Sequence, residues 1–311
     1  MKPIQPRSQP ESCRWGDLSG EVHRLETRDG QELAVSRIFS KGEGHRPFPV
    51  ILVHGTYCTR TFWISPKGVG MGAYLAGQGF DVWVPDMRGH GLSPKTAAYS
   101  RINAEDQIRF DLPAIQEHVF RITGKPAFWI GHSFGGLYTV AALGMQWLRH
   151  DLVKAVVTFG SQISHGDRYL KIPPVVWIVS LLMKMLGHLP APRLGLGPEI
   201  EPAGVILETI RWKKWRGEWT ASDGRSYWDG LGGIKTPVMT VAAADDKNDP
   251  AEGCLQFHER YGSRDKAFVV LGIKEGFRKD YDHVGMVVSK EAQVEVWPKV
   301  ASWLMEREKT S

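Results

Sequence analysis

Phe128-Trp129-Ile130-Gly131-His132-Ser133-Phe134-Gly135-Gly136 decides how this chain is read. An apolar strand runs into a glycine, a serine follows at the turn, and Leu137 to Leu148 then carries helical periodicity. The pattern is G-x-S-x-G between a strand and a helix. A serine held on so sharp a turn sits in a strained backbone conformation with its hydroxyl exposed. Side chains two positions away on either side would clash, and Gly131 and Gly135 stand there. The helix that follows points its free amides at the same spot, where negative charge can be stabilised. Ser133 is therefore expected to be a nucleophile.

Outward from that turn, strands and helices alternate. Phe48 to Val53, Phe80 to Pro85, Ala127 to Ile130, Lys154 to Phe159, Pro237 to Ala243 and Ala267 to Leu271 read as strands. The continuous apolar runs suit strands buried on both faces. Met71 to Gln78, Ala104 to Thr123, Leu137 to Leu148, Ala251 to Tyr261 and Glu291 to Met305 read as helices. Before them, Glu21 to Thr27 and Glu32 to Phe39 read as two strands around the turn Arg28-Asp29-Gly30, and the first twenty residues as a loose lead-in. Such alternation predicts right-handed crossovers and a mostly parallel sheet with helices on both faces. From Ser164 to Gly232 the pattern changes to proline, glycine and tryptophan with no clear strand. This is read as an insertion (164–232) between two parts of a core (1–163 and 233–311).

Composition excludes several classes. The chain has 311 residues, a net charge of +5, 42% hydrophobic residues and three separated cysteines. That is too apolar and too nearly neutral for disorder, and too poor in cysteine for a disulfide scaffold. No N-terminal stretch has the apolar core of a secretion signal, and no run reaches the roughly 18 apolar residues of a membrane span. A cytoplasmic protein without stable membrane insertion is expected. The one basic-aromatic cluster, Arg211 to Arg216, is flanked by Glu208 and Glu218, so no nucleic-acid partner is expected.

A serine hydroxyl needs a histidine to take its proton and a carboxylate to orient that histidine. On a strand-turn-helix nucleophile the partners follow in the order acid, histidine. His258 falls within a helical pattern, whereas His283 lies in a loop after the last strand, at the sheet edge where a base must sit. His283 is the expected base. Asp245, Asp246 and Asp249 all follow the strand Pro237 to Ala243; Asp246 is the expected acid, Asp245 the second choice, and turn or capping chemistry suits the others. Asp282 adjoins the histidine too closely to orient it. The backbone N–H groups of Phe134 and Thr56 are the expected oxyanion donors, with Tyr57 as the alternative to Thr56. Cys58 is read as incidental.

With these residues in place, the chain resembles the α/β-hydrolase superfamily along nearly its whole length. The marks are His54-Gly55, Asp86-Met87-Arg88-Gly89-His90-Gly91-Leu92-Ser93, Gly131 to Gly136, Asp246 with Pro250, and His283. Gly79 to Val84, Phe110-Asp111-Leu112-Pro113-Ala114, Thr123-Gly124-Lys125 and Asp282-His283 are similar to acid lipases, and the Asp86 turn to monoacylglycerol lipases. The resemblance implies an α/β-hydrolase fold with a mainly helical cap at 164–232. It implies hydrolysis of carboxylic esters without a cofactor or metal, and assigns Asp246 and His283 the roles argued above. The same residues could serve a thioesterase, amidase or acyltransferase, or a receptor built on the fold.

The insertion holds Trp177, Trp212, Trp215, Trp219 and Trp228, five of 12 tryptophans. Trp212, Trp215 and Trp219 would share one face of a helix, and Val175 to Met183 would be buried if helical. The stripe can pack the insertion on the core, line an apolar acyl pocket, or dock reversibly on a membrane surface. Tyr57, Trp63, His132, Trp177 and Trp212 are the pocket candidates, for a substrate with an apolar acyl group.

Overall fold

Double burial explains the apolar runs. In the computed structural model, which describes residues 9–39, 45–165, 168–214 and 217–309, the strands are β1 (Glu11–Trp15), β2 (Leu18–Glu26), β3 (Glu32–Ile38), β4 (Val50–Val53), β5 (Val82–Asp86), β6 (Ala127–His132), β7 (Val153–Phe159), β8 (His188–Leu189), β9 (Glu201–Pro202), β10 (Val238–Ala243) and β11 (Lys266–Leu271). Nine of them form one sheet in the order β1-β2-β3-β5-β4-β6-β7-β10-β11. The run from β5 to β11 is parallel, and β1, β2 and β3 are antiparallel additions. Every residue of β4, β5, β6 and β10 is buried.

Period-two alternation sends these side chains into two cores. Ile51, Val53 and Trp129 pack with the helices Leu112–Thr123 and Phe134–Gly144. Val50, Leu52, Phe128 and Ile130 pack on the other face with Met71–Gly77 and Lys290–Glu308. Each fully buried Leu, Ile, Val or Phe contributes roughly 1.5–3 kcal/mol relative to exposure.

Three expectations are corrected. The first twenty residues are not all a lead-in, because β1 adds an antiparallel edge strand to β2. Its sequence, Glu-Ser-Cys-Arg-Trp, is mostly polar, since an edge strand has one wet side; only Trp15 is buried. The helical pattern from Ala104 to Thr123 contains a π turn at Gln107–Asp111. The Asp111 carboxylate near it takes the Arg88 guanidinium at 2.6 Å, both side chains buried. Arg88 also bonds Asp29 at 2.8 Å, so this ion cluster clamps the Asp86 to Ser93 turn onto the sheet.

The third correction concerns the segment 164–232, expected to be an insertion. It contains the helices Pro173–Leu186 and Ala203–Lys213 and the two-residue strand pair β8–β9. The second helix ends at Lys213, so Trp219 does not continue a stripe on its face; Trp215 lies outside the described residues. Trp212 and Trp219 instead meet around the Tyr227 ring at 5.9 and 5.1 Å, inside the same core as the strands. Tertiary packing, not helical spacing, unites them. The helix Pro173–Leu186 is not buried: among its residues only Met183 is, while Ile178 and Leu181 are exposed. Among the described residues no helix is long and apolar enough to cross a membrane.

Candidate active site

Ser133 follows directly on β6 and precedes the helix Phe134–Gly144. Its φ of 53° and ψ of −124° place it in the left-handed region, a conformation that costs a non-glycine residue about 1–3 kcal/mol. The neighbouring glycines are sterically required. A Cβ on Gly131 would lie 2.3 Å from the Gly136 nitrogen, and one on Gly135 would lie 2.4 Å from the Val53 oxygen. The Ser133 N–H donates to the Phe159 carbonyl of β7 at 2.8 Å, which ties the turn to the sheet.

His283 comes to this point from the loop after β11. His132, beside the serine, donates its Nε2–H to the His283 carbonyl at 2.8 Å, and the two rings lie 4.5 Å apart. His132 is buried and its pKa falls well below the ordinary value, because of burial and the nearby His283. Gly160, next to Phe159, borders the same cluster: a Cβ there would lie 3.1 Å from Asp246 Oδ2 and from His283 Nδ1. The Asp246–His283 pair thus borders Gly160 and His132, beside the turn that carries Ser133. Among the described hydrogen bonds none joins Ser133 Oγ to His283, which is common before a substrate tightens a site.

The Asp246 carboxylate is fully buried after β10. Its Oδ1 accepts the N–H groups of Asn248 and Asp249 at 3.0 and 2.8 Å, and its Oδ2 lies 2.7 Å from His283 Nδ1. A carboxylate there requires the proton on Nδ1, leaving Nε2 free to accept one. Burial works against a charged His283 ring. The hydrogen bond to Asp246 and the charge of Asp249 outweigh burial and the opposing charge of Lys213, and raise its pKa above 6.5. Asp245 and Asp282, the other candidates nearby, are exposed, and Asp282 bonds the N–H groups of its own turn. His258 lies in the helix Ala251–Arg260 and faces Thr240 at 3.2 Å.

The loop after β4 also approaches the serine: a Cβ on Gly55 would lie 3.0 Å from the Ser133 Cβ. His54 accepts the Met87 N–H on Nε2 at 3.1 Å; burial and the nearby His90 push its pKa down to about 4, so it stays neutral and holds the loop in place. The N–H groups of Thr56 and Phe134 have no acceptor among the described hydrogen bonds. The Tyr57 N–H is committed to Glu201 Oε2 at 2.7 Å. Burial, then Glu201, pushes the Cys58 thiol up to about 12, which makes it inert.

The pocket candidates separate. Trp63 is 0% exposed and lies in the core with Phe159, and Trp212 is buried in the opposite core, so neither has surface to offer a ligand. Trp177 is 75% exposed and faces solvent. The burial of Trp63 and Trp212 runs against the expectation for those two. His132 stacks on Phe62 at 4.4 Å and holds His283 by its carbonyl. Tyr57 lies in the candidate oxyanion loop, next to Thr56. Three residues that the sequence reading did not assign to the site also reach it: Glu201, Lys213 and Asp249, which had been given only turn chemistry. Glu201 and Lys213 are brought in by tertiary contacts and carry no local signal, whereas Asp249 sits in the turn of Asp246 itself.

The fold and the strand-serine-helix turn define a class. A sequence model of the alpha/beta hydrolase family matches residues 50–295, and the chain belongs to that family. Triacylglycerol lipase 2 of Arabidopsis thaliana is 30% identical over 142 residues, 41% of this chain and 34% of that protein. Gastric triacylglycerol lipase of Bos taurus is 35% identical over 136 residues, 39% of this chain and 34% of that protein. The aligned part spans only about a third of the length of these curated relatives. Two solved structures share the fold at low identity. A monoacylglycerol lipase of Paleococcus ferrophilus is 18% identical with a TM-score of 0.61, covering 88% of this chain and 99% of that one. A soluble variant of monoglyceride lipase from Saccharomyces cerevisiae is 17% identical with a TM-score of 0.66, covering 100% of both.

Proposed function

We propose that this protein is a serine hydrolase of carboxylic esters with Ser133, His283 and Asp246 as its triad. The observation that carries the reading is the 2.7 Å contact between His283 Nδ1 and Asp246 Oδ2, made beside a serine held at φ 53°. The names of the relatives, triacylglycerol and monoacylglycerol lipases among them, support an ester with an apolar acyl group as the substrate.

In this mechanism His283 Nε2 takes the Ser133 proton as Oγ attacks the ester carbonyl. Asp246 keeps the Nδ1–H tautomer and stabilises the imidazolium. The N–H groups of Thr56 and Phe134 hold the oxyanion of the tetrahedral intermediate. His283 then protonates the departing alcohol, leaving an acyl group on Ser133. Water, deprotonated by the same histidine, releases the acid and restores the serine. No cofactor or metal enters the cycle. Residues 164–232 act as a cap: Glu199 and Glu201 bond Tyr57 of the oxyanion loop, and the charge of Lys213 reaches His283.

The test is turnover of p-nitrophenyl esters of increasing acyl length, alongside acyl-thioesters and anilides, by the wild type and Ser133→Ala. The expected result is preference for esters and a loss of kcat on the order of 10⁶ in the variant. A fluorophosphonate probe should label the wild type and not Ser133→Ala. Undiminished turnover by the variant, or no labelling of the wild type, would sink the reading.

A further inference from the structure

Glu201 is a buried carboxylate, 1% exposed, carried by β9 in the inserted segment. Its Oε2 accepts the Tyr57 N–H at 2.7 Å and lies 3.3 Å from Nε2 of His90. The other nitrogen of His90, Nδ1, lies 3.0 Å from the Arg88 carbonyl. Both ring nitrogens therefore face acceptors, which suits the doubly protonated ring. Burial opposes that charge, but Glu201 outweighs it and the His90 pKa rises above 6.5.

Such a pair is a poor source of stability, because each buried ion is costly to desolvate. It is well suited to fixing one geometry. Tyr57 is the residue being fixed. Its φ is 61°, in the left-handed region, where a non-glycine residue persists only when its surroundings hold it. The inserted segment grips it at both ends: the Tyr57 N–H goes to Glu201, and the Tyr57 carbonyl accepts the Glu199 N–H at 3.0 Å. The grip is itself anchored, since Glu199 pairs with Lys95 at 2.7 Å and the Ile200 carbonyl accepts the Tyr99 hydroxyl at 3.0 Å.

The peptide between Thr56 and Tyr57 is planar, so its C=O and N–H point in opposite directions. Reversing it would aim the Thr56 carbonyl oxygen at the Glu201 carboxylate, oxygen against oxygen. The carboxylate therefore selects one of two orientations for the peptide that follows Thr56. We propose that Glu201 is the positioning residue of the oxyanion loop, holding Tyr57 from the inserted segment so that the Thr56 N–H stays available to the substrate's carbonyl oxygen. The proposal rests on the ester-hydrolase reading given above. It makes catalysis depend on how the insertion is seated, although Glu201 touches no reacting atom.

The experiment compares wild type, Glu201→Ala, Glu201→Asp and Glu201→Gln on a soluble p-nitrophenyl ester, with Ser133→Ala fixing the background. Wild-type turnover above that background establishes the ester-hydrolase reading independently of Glu201. Affinity for a trifluoromethyl ketone, which forms an oxyanion on the serine, is measured beside affinity for the matching unreactive alcohol. Glu201→Ala is expected to lower kcat by on the order of 10- to 100-fold, with KM within about threefold. Ketone affinity should fall in step with kcat/KM, while alcohol affinity holds. Glu201→Asp keeps the charge but is one methylene short, and it should lose kcat in the same way, which covers the case in which the alanine variant does not fold. Glu201→Gln should recover most of the loss, because its Oε1 can take the Oε2 position and accept the Tyr57 N–H together with the Nε2–H of His90. Wild-type kcat in Glu201→Asp, a loss confined to KM, or a folded Glu201→Gln as slow as the aspartate variant would overturn the proposal.

Discussion

The Asp249 carboxylate lies 3.7 Å from Nε2 of His283, the ring nitrogen opposite the one that meets Asp246. His283 is thus placed between two acids, and Asp249 is held there by Gln162 at 2.5 Å. Burial, above all, pushes the Asp249 pKa up to about 6. It therefore titrates close to the histidine it faces, and the cluster titrates as a unit.

The pH dependence of the wild type follows from this. As a base His283 must be neutral, and its pKa is raised above 6.5. Activity should therefore be present at alkaline pH and fall as pH drops through a midpoint above 6.5. The measurement is kcat/KM against pH, which reports the free enzyme. A midpoint clearly below 6.5 would contradict the assignment of His283 as a base flanked by two carboxylates.

Replacing Asp249 with asparagine removes one of the two anions and keeps the shape. The imidazolium loses a stabilising neighbour, so the acid limb should move down by about one pH unit. At pH 6 the variant should outperform the wild type relative to its own plateau. An unmoved limb would mean that Asp249 does not act on the titrating group.

Asp246→Asn should cost kcat on the order of 10⁴ at pH values where the wild type is fully active. Its remaining oxygen would stay with the N–H groups of Asn248 and Asp249, which bond Oδ1. Its amide would then face His283 Nδ1 and force the proton onto Nε2, the nitrogen that must accept from Ser133. Retention of even a tenth of wild-type kcat, with the melting temperature unchanged, would remove Asp246 from its role.

Much of this was legible in the sequence for identifiable reasons. The strands β4, β5, β6 and β10 are buried on both faces, so they appear as unbroken apolar runs, and the G-x-S-x-G turn is short enough for local sterics to dictate it. Where burial is one-sided the signal fails, as in the edge strand β1. Helical spacing and tertiary packing leave the same trace for Trp212 and Trp219, and packing was the true cause. Glu201 could not have been found locally, because its partner Tyr57 is 144 residues away.

The Arg88–Asp111 pair tests the clamp on the Asp86 turn. Asp111 is 0% exposed and accepts both the Arg88 backbone N–H at 3.1 Å and its Nε–H at 2.8 Å. Asp111→Ala leaves a buried guanidinium with Asp29 at 2.8 Å as its nearest remaining partner and Asp106 at 3.8 Å. The expected destabilisation is about 3 kcal/mol by urea unfolding, near the low end for a broken buried pair because that partner persists. A change below about 1 kcal/mol would show that the cluster relaxes or admits water.

Two tryptophans of the segment between β7 and β10 should behave oppositely. Trp219 is 2% exposed and its ring lies 5.1 Å from Tyr227 and 5.2 Å from Phe257, the latter on a helix of the main core. Trp219→Ala opens a cavity in that core, and should cost about 3–5 kcal/mol. Trp177 is 75% exposed, so Trp177→Ala should change stability by less than about 0.5 kcal/mol. Chemical unfolding of the two variants side by side settles the matter. If both are mild, the insertion unfolds independently of the core; if both are severe, the exposed helix face has a partner in solution.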